Sequence, residues 1–282
     1  MVGAPKTLKE ALDFRSQFPC TVVTGGTDQY VRYRNKEGVP PSLGEHVLYL
    51  MGVSELAFIQ TEETHLAIGA TATLASILNH DLTPSLLKQA IRQIGGPGIR
   101  NMGTLAGNVA NASPAADAVC ALVALGASVR LQSLAGSRVM LVEDFILGVR
   151  KTALKPNELI AAILVPLQPW NVETFRKVGG RKADAISKVS FCGLAHWKKG
   201  KLQDIRIALG AVAVKVVRDA AFEHTLQGQT LANLDAEAIA AHYGSLIAPI
   251  DDQRSTKEYR HDVAMNLVRT FVRNLAEGTN AQ

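Results

Sequence analysis

Apolar residues recur at helical spacing in LKEALDFRSQF, where Leu8, Ala11, Leu12, Phe14 and Phe18 fall toward one side, so the chain opens on a short helix. The β-branched run CTVVT reads as a buried strand, ended by Gly25-Gly26-Thr27-Asp28. QYVRYRN starts a turn or helix and HVLYLMGV is the next strand, so the first 55 or so residues form a small β–turn–α–β unit. LAIGATATLASI is a strand entering a helix with threonine caps. TPSLLKQAIRQIG is a clearer helix, with Thr83 as N-cap, Pro84 at the first position, and the Gly95-Gly96-Pro97-Gly98 cluster as its stop. AADAVCALVALG is a helix ended by Gly126, and ASVRLQS, SRVMLV and LIAAILV are strands of one sheet.

Two prolines in VPLQPWN punctuate the pattern at residues 165–171 and mark a boundary. Beyond it FRKVGG, SKVSFCGLAHW and LQDIRIALGAV read as three strands, with KKGK as a tight turn and Ile205, Ile207, Leu209 and Ala211 alternating. In the last helix, TKEYRHDVAMNLVRTFVRNLAEG, the row Tyr259, Val263, Leu267, Phe271 and Leu275 is the expected buried stripe. The pattern is α+β, with mixed N-terminal layers and a C-terminal sheet backed by helices.

Composition narrows the function more than the fold. Lys and Arg number 30 against 25 acids, a net charge of +5 with no run of five or six like charges, and aromatics are only 5%. A nucleic-acid interface would concentrate basic residues and interleave aromatics, so none is expected. Cys20, Cys120 and Cys192 are far apart with no C-x-x-C, and the histidines form no H-E-x-x-H, so no disulfide, zinc or iron–sulfur site is expected. MVGAPKTLKEALDF is charged and amphipathic, unlike a secretory signal, and the longest apolar runs are too short to span a bilayer. A cytoplasmic protein without a membrane segment is expected.

The candidate chemistry lies in two loops. Gly25 and Gly26 follow a buried strand, where glycine permits positive φ and close backbone approach. Successive amides in such a turn make an anion-binding concavity, to which Thr27 adds a hydroxyl. The second, GTLAGNVANASPAAD at 103–117, is expected as a long polar loop because Gly107 and Pro114 interrupt a single helix. It offers Thr104, Asn108, Asn111 and Ser113 and carries one charge, Asp117. With no basic residue in either loop, an anion held there would be neutralised by backbone dipoles, which suits a buried diphosphate. The absence of G-x-G-x-x-G after a strand and of G-x-x-x-x-G-K-[ST] argues against Rossmann and P-loop sites. A third segment, FRKVGGRKADAISKVS, sets Lys177, Arg181, Lys182 and Lys188 around a glycine pair. It reads either as a solvated basic hairpin or as a cationic wall beside an electron-rich cofactor.

GGTD after a strand, TLAGNVANASPAAD and KVGGRKADAISK, in that order and with DDQRSTKEYRH near the C-terminus, resemble the FAD-binding subunit of molybdenum hydroxylases. That family includes the medium chains of bacterial xanthine, nicotinate and carbon monoxide dehydrogenases. The resemblance runs nearly end to end. It implies a two-lobed FAD-binding domain of the vanillyl-alcohol-oxidase (PCMH) type at 1–168, with lobes of about 1–55 and 56–168. A small C-terminal domain at 169–282, with a three-stranded antiparallel sheet and helices, would follow. Position by position it implies that the backbone of Val23, Thr24, Gly25, Gly26, Thr27 and Asp28 wraps the pyrophosphate, with Thr104, Gly107, Asn108 and Ser113 opposite. Asp117 would accept from a sugar hydroxyl, Ile160 would pack near the isoalloxazine, and Lys177 would reach its polar edge. Ile94 stands where some relatives carry an aromatic. The implied function is electron transfer. FAD would take electrons from a two-iron two-sulfur small subunit served by a molybdenum-cofactor large subunit, and pass them to NAD⁺ or another acceptor. No catalytic acid or base and no metal site is implied for this chain. The rival readings are a free-standing FAD oxidase and a scaffold subunit that has lost FAD.

Overall fold

A computed structural model describes residues 1–278 of the chain. By contacts the chain divides into two compact units. One comprises Met1–Thr83, Gly95–Ala112 and Ala127–Leu167; the other comprises Pro84–Ile94, Ser113–Gly126 and the chain from Gln168 onward. Among the described residues no helix is long and apolar enough to cross a membrane.

The first unit begins with the helix Leu8–Gln17, held at its start by a capping box between Thr7 and Glu10. A three-stranded parallel sheet sets Val47–Tyr49 between Val2–Gly3 and Thr21–Val23. A five-stranded antiparallel sheet runs in the order Ile59–Glu62, His65–Gly69, Leu159–Pro166, Ser128–Ser133, Gly136–Leu141. Leu159–Pro166 is its middle strand, almost wholly buried, which is why LIAAILV shows no alternation. Its register slips between Ile160 and Ala162, a bulge that leaves Ala161 out of the pairing with Ser128–Ser133. Thr73 caps the helix Leu74–Asn79, as the threonine pattern predicts.

Three local expectations are corrected. The polar stretch 103–117 is not mainly a loop: Leu105–Asn111 is a helix, capped by Thr104 and ended by Ala112 at φ 44. Gly107 is tolerated there because its amide is held by Thr104 Oγ1 at 3.0 Å. The Gly95–Gly98 cluster stops one helix, Ser85–Arg92, but starts another, Pro97–Met102, with Pro97 pre-set at the first position. Pro84, not Thr83, is the N-cap of Ser85–Arg92, and the Thr83 hydroxyl donates instead to the Ile77 carbonyl at 2.7 Å.

The second unit carries a three-stranded antiparallel sheet, Val172–Val178, Val189–Lys198 and Lys201–Gly210, in that spatial order. The turn between the last two has Lys199 at φ 51 and Gly200 at φ 73, the paired positive φ that a two-residue hairpin turn needs. Phe191, Ile205, Ile207 and Leu209 from the sheet meet Tyr243, Val268 and Phe271 from the helices Ala236–Leu246 and Lys257–Ala276. The helix Asp117–Leu125 packs on this sheet and on Ser85–Arg92, every residue of it buried. The α+β class and the C-terminal three-stranded sheet stand as expected.

The last helix buries Phe271 and Leu275 of its expected i, i+4 row, with Val263 and Leu267 packed against the core, but leaves the first member, Tyr259, outside. Arg260, Ala264, Met265, Val268, Phe271, Val272 and Leu275 are buried, whereas Tyr259 is 45% exposed. At 3.6 residues per turn each four-residue step drifts by about 40°, so a row that faces the core at Phe271 and Leu275 has turned away from it at Tyr259. The buried Arg260 donates from its two terminal nitrogens to the carbonyls of Lys188 and Ala211 and to Asp252 at 2.7 Å, while its Nε has no partner among the described residues.

Candidate functional site

In the first unit, strand Thr21–Val23 delivers Thr24 and Gly25 directly against the segment that precedes Thr104. Val23 is 1% exposed, and its carbonyl accepts from Leu50 at 2.9 Å, which fixes where the strand ends. A Cβ on Gly25 would lie 1.8 Å from the Met102 carbonyl oxygen, so no other residue fits without moving backbone. Gly26 adopts φ 68, a value glycine takes at no steric cost. The hydroxyls of Thr24 and Thr104 share a hydrogen bond of 2.8 Å, which joins the two segments. A Cβ on Gly107 would come within 3.0 Å of both hydroxyl oxygens. Asn111 Nδ2 donates to Asp28 Oδ2 at 2.7 Å, a second tie between them.

The polar groups left over point to a ligand. Among the described residues nothing accepts the amide hydrogens of Gly25, Gly26, Thr27 or Asp28. Asn108 Oδ1 is buried without a hydrogen-bond partner, a state native proteins rarely leave uncompensated. The unspent backbone donors and the close backbone approach fit the diphosphate region of FAD, and the orphaned Asn108 oxygen calls for a donor beside it. Ile160, 7% exposed at its bulge, also belongs to this unit.

The second unit contains Ser113, Asp117 and Lys177. Ser113 Oγ accepts the amide of Ala115 at 3.3 Å and shapes the turn before Asp117. Asp117 is the first residue of its helix, where the dipole favours a carboxylate, and it is 4% exposed. It and Lys177 are not separate features: Lys177 Nζ lies 2.7 Å from Asp117 Oδ2, with side chains 8% and 5% exposed. Lys177 also donates to the Gln93 carbonyl at 2.9 Å. Ser187 Oγ donates to the other carboxylate oxygen, Oδ1, at 2.5 Å. Burial pushes the Asp117 carboxyl above its ordinary pKa, while the Lys177 charge and the bonds from Lys177 and Ser187 pull it back.

The other cations of the basic segment behave differently from Lys177. Arg181 is exposed and folds onto the carbonyls of Ala183 and Asp184 in its own loop. Lys188 stands 5.1 Å over the Tyr259 ring. Arg181, Lys188 and Arg254 face a cleft of about 440 Å³ with Asp184 as its acid. The solvated-hairpin reading therefore describes the tip, and a buried ion pair describes the stem. Sequence reasoning missed Ser187 and Gln93. A serine two residues before an apolar strand carries no signal of its own, and Gln93 acts through its carbonyl.

Two family matches cover nearly the whole chain. The family described as the FAD binding domain in molybdopterin dehydrogenase matches residues 2–168, and the CO dehydrogenase flavoprotein C-terminal domain matches residues 173–275. The glyceraldehyde dehydrogenase medium chain of Sulfolobus acidocaldarius is 30% identical over 275 residues, covering 96% of each chain. The nicotinate dehydrogenase FAD-subunit of Eubacterium barkeri is 34% identical over 212 residues, 69% of this chain and 70% of its own. Among solved structures, the carbon monoxide dehydrogenase of Hydrogenophaga pseudoflava superposes with a TM-score of 0.88 at 26% identity, covering 99% and 98% of the two chains.

Proposed function

This chain belongs to the FAD-binding family of molybdopterin dehydrogenases, with FAD as its cofactor, and from that premise we propose that it is the electron-transfer subunit of a multisubunit molybdenum hydroxylase. Its partners would be an iron–sulfur small subunit and a molybdenum-cofactor large subunit, and NAD⁺ or another acceptor would take the electrons, in the cytoplasm. Residues 1–168 act as the FAD-binding domain and 169–282 as the flavoprotein C-terminal domain. When bound, FAD supplies the exchange of electrons between the clusters and the acceptor.

The chain's own residues bind and orient. The amides from Gly25 to Asp28 hold the diphosphate from one segment, and Thr104, Gly107, Asn108 and Ser113 complete its surroundings. Asp117 accepts from a sugar hydroxyl, a donor for which a carboxylate is the strong partner. Ile160 packs near the ring system and Lys177 reaches toward its polar edge. The observation that carries this reading is the Gly25 approach to Met102 with unspent amides beside it. A diphosphate needs that arrangement and a plain turn does not.

No histidine or cysteine lies in either ligand-facing segment, so the flavin is held noncovalently. Acid denaturation should release all yellow colour into the supernatant; colour retained in the pellet would refute noncovalent binding. Under anaerobic conditions, xanthine, nicotinate, aldehydes and carbon monoxide should leave the absorbance of the isolated flavoprotein unchanged. Adding the small and large chains should allow the right substrate to bleach it. Bleaching by a substrate with this chain alone would favour a free-standing oxidase.

A further inference from the structure

We propose that Ser187 is a positioning residue for FAD: acting through Asp117, and together with Lys177, it holds the carboxylate oriented and ionised for a sugar hydroxyl. The proposal rests on the reading of Asp117 given above. Each carboxylate oxygen is taken by a donor from a different stem of one hairpin. Lys177 Nζ, near the end of Val172–Val178, binds Oδ2 at 2.7 Å, and Ser187 Oγ, just before Val189–Lys198, binds Oδ1 at 2.5 Å. The stems are closed by the Lys188 amide on the Val178 carbonyl at 2.8 Å. A carboxylate gripped at both oxygens cannot turn, and each oxygen keeps one lone-pair direction for a further donor.

In a site 4% exposed, a protonated Asp117 would lose its charge-assisted acceptor and leave the Lys177 ammonium buried without its partner. Burial drives the carboxyl toward that state, and only Lys177 and Ser187 oppose it. The other groups on the packed elements do not help. Cys192, on the sheet, is a thiol that burial keeps protonated, Cys120 lies on Asp117's own helix, and Gln93 offers a carbonyl to Lys177. Ser187 itself is 1% exposed and spends its hydroxyl on this oxygen.

The test is FAD affinity against pH on the full chain, stripped of flavin and titrated back by fluorescence quenching, between about pH 4 and 9. Wild type should bind more weakly as pH falls and Asp117 takes up a proton. Ser187→Ala should move that acid limb upward by about one pH unit and weaken binding near neutrality about tenfold. Ser187→Thr, which keeps the hydroxyl, should restore the limb, and Asp117→Asn should bind weakly with no such limb. An unmoved limb in Ser187→Ala, even with uniformly weaker binding, would reduce Ser187 to a structural residue and overturn the proposal. Wild-type affinity and pH dependence in Asp117→Asn would instead remove the reading of Asp117 on which it rests. Should Ser187→Ala fail to fold, Ser187→Cys, a much weaker donor, is judged by the same limb.

Discussion

The residues proposed to hold the ligand are arranged by opposite means in the two units. In the first, Gly25, Gly26 and the Thr24–Thr104 hydroxyl pair form a neutral surface of backbone donors. In the second, Asp117, Lys177 and Ser187 form a charged network with almost no exposure. Fixed dipoles need only close approach, so their requirement is steric and falls on glycine. Buried ions need each other, so their requirement is mutual and falls on three residues far apart in the chain. The neutral half should tolerate loss of any single hydrogen bond but not added volume. The charged half should tolerate volume changes better than the loss of one partner.

Lys177→Met should show the largest effect. It keeps much of the side-chain volume and leaves Asp117 buried without its cation, a loss of about 3–5 kcal/mol in unfolding free energy. Replacing both partners, Lys177→Met with Asp117→Leu, should recover much of that stability while FAD binding stays weak. The deficit of the single variant should also depend on pH. Asp117 already titrates above its unfolded value, and removing Lys177 raises it further. A raised folded pKa favours the native state while the group is protonated, and that contribution disappears as pH rises through the folded pKa. The deficit should thus be greatest above that point and shrink on acidification, as thermal melts across the range would read. A pH-independent deficit would show that the pair is not what holds this half together.

Gly25→Ala should come next. Its Cβ would meet the Met102 carbonyl oxygen at 1.8 Å, so one segment must move away from the other. Overpacking of this kind costs roughly 1–3 kcal/mol, and the displaced amides should lower FAD affinity by about 100-fold or more, each decade corresponding to 1.4 kcal/mol. The checks are a melting curve and a flavin titration. Wild-type FAD affinity in this variant would dissolve the idea of a clamp in the first unit.

The same contrast explains what was legible in the sequence. The neutral half leaves a compositional trace, because Gly25-Gly26 after a β-branched strand and a long uncharged stretch around Thr104 are unusual patterns in themselves. The strands were legible because the Leu159–Pro166 run is buried on both faces and Ile205–Leu209 alternates. The helix Leu105–Asn111 was not, because Gly107 and small residues lower its propensity and a tertiary tie, Thr24 to Thr104, helps to hold its cap. In the charged half only Asp117 leaves a local trace, as the one charge of the stretch 103–117. Lys177 sits in a basic segment whose other members are solvated, and only folding brings it to Asp117, 60 residues away. Ser187 is tied to Asp117 by a bond across 70 residues, and nothing adjacent to it in the sequence signals that tie.

The smallest expected effect is also the sharpest measure of the difference between the halves. Thr24→Val removes one side of the 2.8 Å hydroxyl pair. Thr104→Val removes the other side and also the cap on the Gly107 amide. Each should cost about 1 kcal/mol, with Thr104→Val the larger because a helix cap is lost as well. In the double variant the shared bond can be lost only once, so the two effects should fall short of additivity by about 0.5–1.5 kcal/mol. The corresponding cycle on Asp117 and Lys177 should give a coupling of several kcal/mol, since either single change strands a buried ion. Equal couplings from denaturant melts would mean that the neutral half is as tightly interdependent as the charged one. The distinction between steric and mutual requirements would then fail. A coupling near zero at Thr24 and Thr104 would instead place the joining of those two segments on the Gly25 contact alone, and FAD affinity in Thr24→Val should then stay at the wild-type value.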